Sequence, residues 1–187
     1  MITDHDRSGW FGASDTHYIM GNWNTKSWND WWQVKLGLAT GFPSNMYMEA
    51  GNFYEHGILA LLDIPNMELD KQVRIEDLRL RVNLDGCTDD TIYEVKTYKA
   101  TRNFKVSKAY YQQVQVQMYA TGLRKAKLVA YPLFEEDYLY PDYLNLEKEL
   151  VEMYEIEYDE EFISEYLTRL SILRDYLIEE MEEMEVI

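Results

Sequence analysis

The sequence lacks a second cysteine and any long apolar segment. Its single cysteine, Cys87, cannot form an intramolecular disulfide, which fits a reducing compartment. No stretch approaches the ~20 apolar residues that a membrane-spanning helix needs. The first residues do not combine a basic start with an apolar run, as a secretory signal would. These absences predict a cytoplasmic protein without a membrane partner.

Basic residues are also scarce, with 18 Lys and Arg against 34 Asp and Glu and a net charge of −16. Taken alone, this charge argues against nucleic acid, because an acidic surface repels phosphate. The acidity is concentrated, however, since residues from Glu135 onward include 19 acids and 3 bases. The preceding 134 residues hold 15 of each and are neutral. The body of the chain could therefore carry a basic groove beside an acidic C-terminal helical region, about 145–187.

The composition otherwise predicts one soluble domain over residues 1–187. Hydrophobic residues make up 47% of the chain and charged residues 28%, which is ordinary for a globular protein. Aromatic residues are abundant, with 16 Tyr and 5 Trp. The tryptophans near Trp28 could stack nucleic-acid bases, but burial in the core is the commoner role for this residue.

Hydrophobic periodicity predicts helices first, then a β-hairpin, then a helix, a strand and a last helix. The predicted helices run from Ser14 to about Met20, Ser27 to Leu38, about Asn45 to Leu62, Ser107 to Thr121 and Asp159 to about Glu183. The predicted strands are Val73–Leu84, Thr91–Tyr98, Lys127–Leu133 and Tyr138–Tyr140, with a turn that begins at Asp85-Gly86 and is prolonged by Asp89-Asp90. This order predicts an α/β (α+β) fold with a mixed central β-sheet flanked by helices.

The hairpin carries residues that could support phosphodiester hydrolysis. Strand side chains alternate, so Glu94 and Lys96 share one face and the hairpin can bring Asp85 alongside Glu94. The Val95 carbonyl could then be a third metal ligand. Mg²⁺ is commonly bound through one or two carboxylates, and a lysine beside it can orient the attacking water. The pattern is loose by itself, because Asp-Gly is usually a turn and Glu-x-Lys usually a solvated face.

Two further motifs flank the hairpin. Glu55 lies in a predicted helix with Gly51, a poor helix residue that suggests close packing or a nearby ligand. A later helix carries four glutamines, and its Gln113 and Gln117 share a face through their spacing. Either motif could instead be an exposed helical surface. The histidines His5, His17 and His56 show no spacing typical of a metal site.

The densest basic stretch follows Lys96. Such residues are usually only solubilising, but beside a candidate metal site they suggest a phosphate track. The stretch comprises Lys99, Arg102, Lys105 and Lys108, with Arg124, Lys125 and Lys127 after the next helix.

Four motifs in order resemble those of the YqaJ-type viral recombinase nucleases, the lambda exonuclease-like family of the PD-(D/E)xK superfamily. The set covers residues 7 to about 119. It consists of Arg7 with Gly12-Ala13-Ser14, Gly51 to Glu55, Asp85-Gly86 with Glu94-Val95-Lys96, and Tyr110 to Gln115. The resemblance implies a restriction-endonuclease-like core. Leu84 departs from the proline often found before the aspartate, and the chain is short for the family.

The resemblance also implies roles for individual residues. Glu55, Asp85 and Glu94 would hold Mg²⁺, with Mn²⁺ as a substitute, and Lys96 would assist the attacking water. The remaining implied roles concern Gln113, which would bond near Lys96, and the pair Arg7 and Ser14, which would bind a 5′-terminal phosphate.

The Arg7 and Ser14 pair makes physical sense as an anion site. A serine at a helix N-terminus offers a hydroxyl and free N–H groups, and arginine adds a bidentate donor. A plain helix cap is an equally good reading of Ser14.

The implied function is a Mg²⁺-dependent DNA exonuclease in a bacterial cytoplasm, acting 5′→3′ on linear duplex for phage-type recombination. Two alternatives stay open: a structure-specific or single-strand endonuclease of the same fold, and a non-catalytic binding module. The resemblance allows a homo-oligomeric ring and a single-strand annealing protein as partner.

Overall fold

The computed structural model describes residues 7–41, 43–142 and 146–185. One five-stranded sheet has the order β1-β2-β3-β4-β5. Its strands are β1 (Glu68–Ile75), β2 (Leu80–Cys87), β3 (Thr91–Lys99), β4 (Lys125–Leu133) and β5 (Glu152–Glu157). The α-helices are α1 (Thr16–Ile19), α2 (Lys26–Lys35), α3 (Met46–Leu61), α4 (Lys108–Thr121), α5 (Glu135–Leu139) and α6 (Glu160–Glu185).

The sheet is mixed, as the sequence predicts. β3 and β4 are parallel and joined through α4, whereas the other neighbouring pairs are antiparallel. Apolar residues on its two faces form two cores. One packs against α2, α4 and α6, and the other against α3. The expected fold class, a central mixed sheet flanked by helices, is confirmed.

The predicted strand Val73–Leu84 is wrong in its extent, because the segment contains the end of β1, a turn and most of β2. A 3₁₀ turn at Glu76–Leu78 separates the strands, and Arg79 reverses the chain with a left-handed φ of 50°. Neither glycine nor proline marks this reversal, so the continuous apolar alternation concealed it.

Asp85-Gly86 is not the hairpin turn but part of β2. The turn follows Cys87, where the Thr88 N–H donates to the Thr91 carbonyl at 2.9 Å. Gly86 instead permits close packing, because a Cβ there would lie 2.9 Å from the Met67 sulfur.

Two predicted helix starts are also wrong. The Thr25 hydroxyl, rather than Ser27, caps α2 by accepting from the Trp28 N–H at 3.2 Å. Ser14 lies inside the 3₁₀ turn Ala13–Asp15 and makes no capping bond. The predicted starts of α3 and α4 agree with the structure, where Asn45 and Ser107 are the caps, and α4 ends at Gly122.

The acidic C-terminal region differs from its helical expectation. The predicted strand Tyr138–Tyr140 is wrong, since α5 occupies most of that segment. Instead, β5 forms the sheet edge beside β4. The sequence of β5, EMYEIE, has acids at three of its six positions. The strand therefore lacks the apolar alternation by which a strand is predicted.

The tryptophans of α2 contribute to the core. Trp31 and Trp32 are 3% and 6% exposed, so base stacking is not their role. No described helix is both long and apolar enough to cross a membrane.

Candidate active site

The candidate site lies at a fork between β2 and β3. These strands pair only at Gly86 with Tyr93 and at Cys87 with Ile92. Beyond that point, side chains satisfy main-chain groups in place of a strand partner. The Asp85 carboxylate accepts from the Val95 N–H at 2.7 Å. The sequence-predicted pair Asp85 and Glu94 is thereby brought to one place, through a fork rather than a continuous ladder.

The Val95 carbonyl also faces this fork. The N–H and C=O of one strand residue point to the same edge of the strand, and the N–H of Val95 is directed at Asp85. A main-chain oxygen is therefore available beside the Asp85 carboxylate, as the sequence predicts.

Glu94 is 2% exposed, and hydrogen-bond donors contact both of its carboxylate oxygens. Its Oε1 accepts from Lys96 Nζ at 2.7 Å and from Gln113 Nε2 at 2.5 Å. Its Oε2 accepts from Gln117 Nε2 at 2.5 Å. A carboxylate held by three donors keeps one fixed orientation, which is what a preorganised ligand needs.

Glu55 reaches the same site from α3. The helix approaches β3 closely at Gly51, where a Cβ would lie 3.3 Å from the Thr97 hydroxyl oxygen. Burial and the neighbouring Glu94 carboxylate raise the pKa of Glu55 to about 7. The expected close packing at Gly51 is confirmed, and Glu55 follows one helical turn later.

The pKa of Asp85 is raised in the same way as that of Glu55. Burial, followed by the charges of Glu94 and Glu55, raises its pKa well above the usual value. Burial would lower the pKa of Lys96, but the Glu94 and Asp85 carboxylates outweigh it and the net shift is upward. Three carboxylates therefore share one nearby ammonium group.

This donor set fits a divalent cation. Mg²⁺ binds oxygen ligands, usually carboxylates with waters and substrate phosphate. The site offers the carboxylates of Glu55, Asp85 and Glu94 with the Val95 carbonyl. The raised pKa values of Glu55 and Asp85 reflect burial first and the negative charge of neighbouring carboxylates second, and a cation would neutralise that charge.

His56 and Asp70 adjoin the site and were not predicted from the sequence. One ligand atom each from Glu55, His56 and Asp70 lie within 4.8 Å of one another. His56 Nε2 is 3.1 Å from Asp70 Oδ1. Asp70 lies on β1 with a left-handed φ of 54°, and spacing along the chain gave no sign that it would meet α3.

The predicted phosphate track begins where β3 ends. The segment is anchored by Phe104, whose ring stacks 6.1 Å from that of Tyr110. Tyr110 in turn lies 5.2 Å below Lys96 Nζ, which places the segment beside the fork. Its four basic residues are all exposed: Lys99, Arg102, Lys105 and Lys108.

The second basic group lies elsewhere. Lys125 is opposite Thr91 at the start of β3. Thr91 and Lys99 are eight residues apart on this strand, so Lys125 and Lys99 are separated by ~26 Å along it. Arg124 and Lys127 lie 3.4 Å from Glu160 and Glu155 respectively. The acidic C-terminal region therefore pairs with two of the three bases in this group.

Arg7 and Ser14 are both exposed, on the segment before α1. Phe11 on this segment forms a parallel bridge with Leu80 at the start of β2. Leu80 is five residues before Asp85, which corresponds to ~16 Å along the strand. The pair therefore lies outside the carboxylate cluster.

Comparisons with known proteins agree with this architecture. A family model described as the YqaJ-like viral recombinase domain matches residues 4–124. No curated protein gives a significant match.

Among solved structures, an alkaline exonuclease from Laribacter hongkongensis is 21% identical with a TM-score of 0.73, covering 96% of this chain and 93% of that one. Its complex with dAMP has a TM-score of 0.71 at the same identity and coverage. A phage-related exonuclease from Haemophilus somnus 129PT is 18% identical with a TM-score of 0.71, covering 94% and 96%. These similarities establish the fold, and the family match over more than half of the residues shows that the chain belongs to the YqaJ-like viral recombinase domain family.

Proposed function

We propose that the protein is a Mg²⁺-dependent DNA exonuclease that hydrolyses linear duplex DNA from a 5′ end, with Mn²⁺ as a substitute metal. The observation that carries the proposal is the fork cluster, defined as Glu55, Asp85, Glu94 and Lys96. The carboxyl groups of Glu55 and Asp85 have raised pKa values, and hydrogen bonds hold Glu94 in place beside Lys96. All three acids therefore lie near a single lysine. A purely structural ion pair has no need of the two additional acids.

Hydrolysis requires a water oxygen to attack phosphorus while the bond to the leaving sugar oxygen breaks. A bound divalent cation would neutralise phosphate charge and ease deprotonation of the water. The chain supplies Lys96, held beside Glu94 at 2.7 Å, to orient that water. Gln113 would keep Glu94 and Lys96 together through its bond to Glu94 Oε1.

Action on DNA ends is supported by the relatives and by the basic segment after β3. The three similar structures are of two proteins described as exonucleases, and one of the structures is a complex with dAMP, a mononucleotide. The exposed bases beside the fork offer phosphate contacts despite the acidic total charge. A homo-oligomeric ring and a single-strand annealing partner remain predictions of the family resemblance alone.

End-labelled linear duplex with and without Mg²⁺ tests the proposal. We expect metal-dependent release of mononucleotides, lost in Lys96→Ala and retained in Lys125→Ala, which changes an exposed lysine at the start of β4. Undiminished activity in Lys96→Ala would reject the site. Cleavage of closed circular DNA at the linear rate would instead favour the endonuclease alternative.

The terminal phosphate is tested separately. Arg7 and Ser14 would bind it, so duplexes with 5′-phosphate should be degraded faster than those with 5′-hydroxyl. Arg7→Ala should remove most of that preference, since a hydrogen bond to a charged group contributes about 1.5–3 kcal/mol. Equal rates on both ends in the wild type would reject this role.

A further inference from the structure

We infer that Gln117 is a positioning residue that holds Glu94 so that its Oε2 atom is the one available to a divalent cation. The inference rests on the proposed function and concerns a residue one helical turn beyond Gln113. Gln117 is fully buried in α4. Its Nε2 donates to Glu94 Oε2 at 2.5 Å and to the Asn83 carbonyl at 3.2 Å.

The orientation of the Gln117 amide is fixed by its surroundings. Both groups that face the amide nitrogen, the Glu94 carboxylate and the Asn83 carbonyl, are acceptors, so the reversed amide would oppose oxygen to oxygen. In this orientation, Oε1 of Gln117 is buried without a hydrogen-bond partner among the described residues. A buried unsatisfied acceptor is unfavourable, and its retention points to a task at the site.

Counting acceptor positions identifies the free one. A carboxylate has about four lone-pair positions, two on each oxygen. Among the described residues, Oε1 of Glu94 receives two donors, Lys96 and Gln113, whereas Oε2 receives only Gln117. One position therefore remains, and it is on Oε2.

Gln117 also connects the two strands that carry the acids. Asn83 lies on β2 two residues before Asp85, and Glu94 lies on β3. By bonding to both strands, the amide sets their separation at the point where main-chain pairing has ended. Loss of the amide should therefore affect both the orientation of Glu94 and its distance from Asp85.

Metal titration by calorimetry, without DNA, tests the inference. Gln117→Met removes both donors while keeping side-chain length, and Gln117→Leu is a second apolar variant in case the first does not fold. We expect Mg²⁺ and Mn²⁺ to bind the variants ~10–100-fold more weakly, the usual effect of removing a group that orients a ligand.

Gln115→Met is the matched control. Gln115 is equally buried in α4, but it bonds to the Glu157 carbonyl at 2.7 Å and to the Asp159 N–H at 2.8 Å, away from the fork. This variant should lower the melting temperature and keep the wild-type metal affinity. A purely structural Gln117 would behave in the same way.

The outcomes separate the two proposals. Wild-type affinity in a folded Gln117 variant would overturn the inference and leave the proposed function intact. A wild-type protein that binds neither metal would overturn the proposed function together with the inference. Weakened binding in the Gln117 variants alone supports both.

Discussion

Two groups of buried charges lie beside β2, and they are balanced differently. Near its start, Asp15 and Lys35 form one pair at 2.5 Å. The Asp15 oxygens also accept from the Gly12 N–H and from Trp31 Nε1, so each has a donor. The fork cluster at the other end of β2 has three carboxylates for one lysine. The matched pair needs no ligand, whereas the unmatched cluster carries negative charge that a cation would offset.

The pKa values of Lys35 and Lys96 shift in opposite directions and reflect this difference. Burial lowers the pKa of Lys35, Asp15 offsets that effect only in part, and the positive charges of Arg7 and Arg81 lower the pKa further. The pKa of Lys96 is raised despite burial, because Glu94 and Asp85 together outweigh the desolvation. The negative surplus is therefore specific to the fork and is not a general property of buried charges in this protein.

The largest expected effect is the loss of hydrolysis in Asp85→Asn. This change removes a charged ligand from the fork cluster while keeping an oxygen for the Val95 N–H. A metal contributes several kcal/mol to the stabilisation of transition-state charge, which corresponds to ~10³-fold or more in rate. Initial rates on 5′-phosphorylated linear duplex at saturating Mg²⁺ measure the loss.

Asp15→Asn is the control at the matched pair. The same chemical change there should leave the rate per folded molecule near that of the wild type. A hundredfold lower rate in folded Asp15→Asn, or a near-normal rate in Asp85→Asn, would contradict the distinction between the two groups.

The same two substitutions should change stability in opposite directions. Asp15→Asn leaves the buried Lys35 charge without its carboxylate, and breaking a buried pair costs about 3–5 kcal/mol. Asp85→Asn relieves repulsion among buried carboxylates, so the metal-free protein should become more stable at pH 8. Urea denaturation with a chelator at pH 8 measures both, and a loss of stability in both variants would refute the predicted contrast.

The sequence predicted the composition of the fork but not its geometry. Alternation on β3 correctly placed Glu94 and Lys96 together, and helix spacing placed Gln113 and Gln117 on one face. It could not show that β2 and β3 separate after two residue pairs, because that depends on long-range packing. Side-chain bonds to Asn83 and Val95 replace the ladder there, and no local pattern encodes them.

Residues and elements outside the motifs were harder to predict from the sequence. Asp70 approaches Glu55 only because β1 pairs with β2 after a reversal at Arg79, a residue without the usual signature of a left-handed conformation. The edge strand β5 combines acids with apolar residues, so it resembled the solvated chain around it. Family motifs identified residues that the structure brings together at the fork, whereas periodicity missed some of the elements that carry them.

The pH dependence of metal-free stability should reveal the negative surplus through Glu55. Its pKa is raised from 4.5 to about 7 in the folded protein, so folding favours the protonated form. This contribution is fully present below about pH 4.5 and is lost as the pH rises through about 7. Added Mg²⁺ should therefore stabilise the protein more at pH 8 than at pH 5.5, since protons and metal compete for the carboxylates.

Melting temperatures with chelator across this pH range test the prediction by difference. Glu55→Gln should show a smaller decline than the wild type between these pH values, with the remainder due to Asp85, whereas Glu49→Gln, an exposed acid in the first turn of the same helix, should keep the full decline. Parallel curves for wild type and Glu55→Gln would remove the evidence for charge crowding at this residue.

The smallest expected effect concerns how DNA approaches a site with surplus negative charge. The segment after β3 offers exposed cations that follow one end of this strand, whereas Lys125 lies opposite Thr91 at its other end. In the Lys96→Ala background, which prevents cleavage, Lys105→Ala should weaken duplex binding. It should also make the slope of log K against log salt about one unit shallower, as expected for one lost phosphate contact. Lys125→Ala should leave that slope unchanged in anisotropy titrations between 50 and 200 mM salt. Equal slopes for the two variants would mean that the cations beside the fork do not offset its charge for DNA, and that the phosphate track runs elsewhere on the surface.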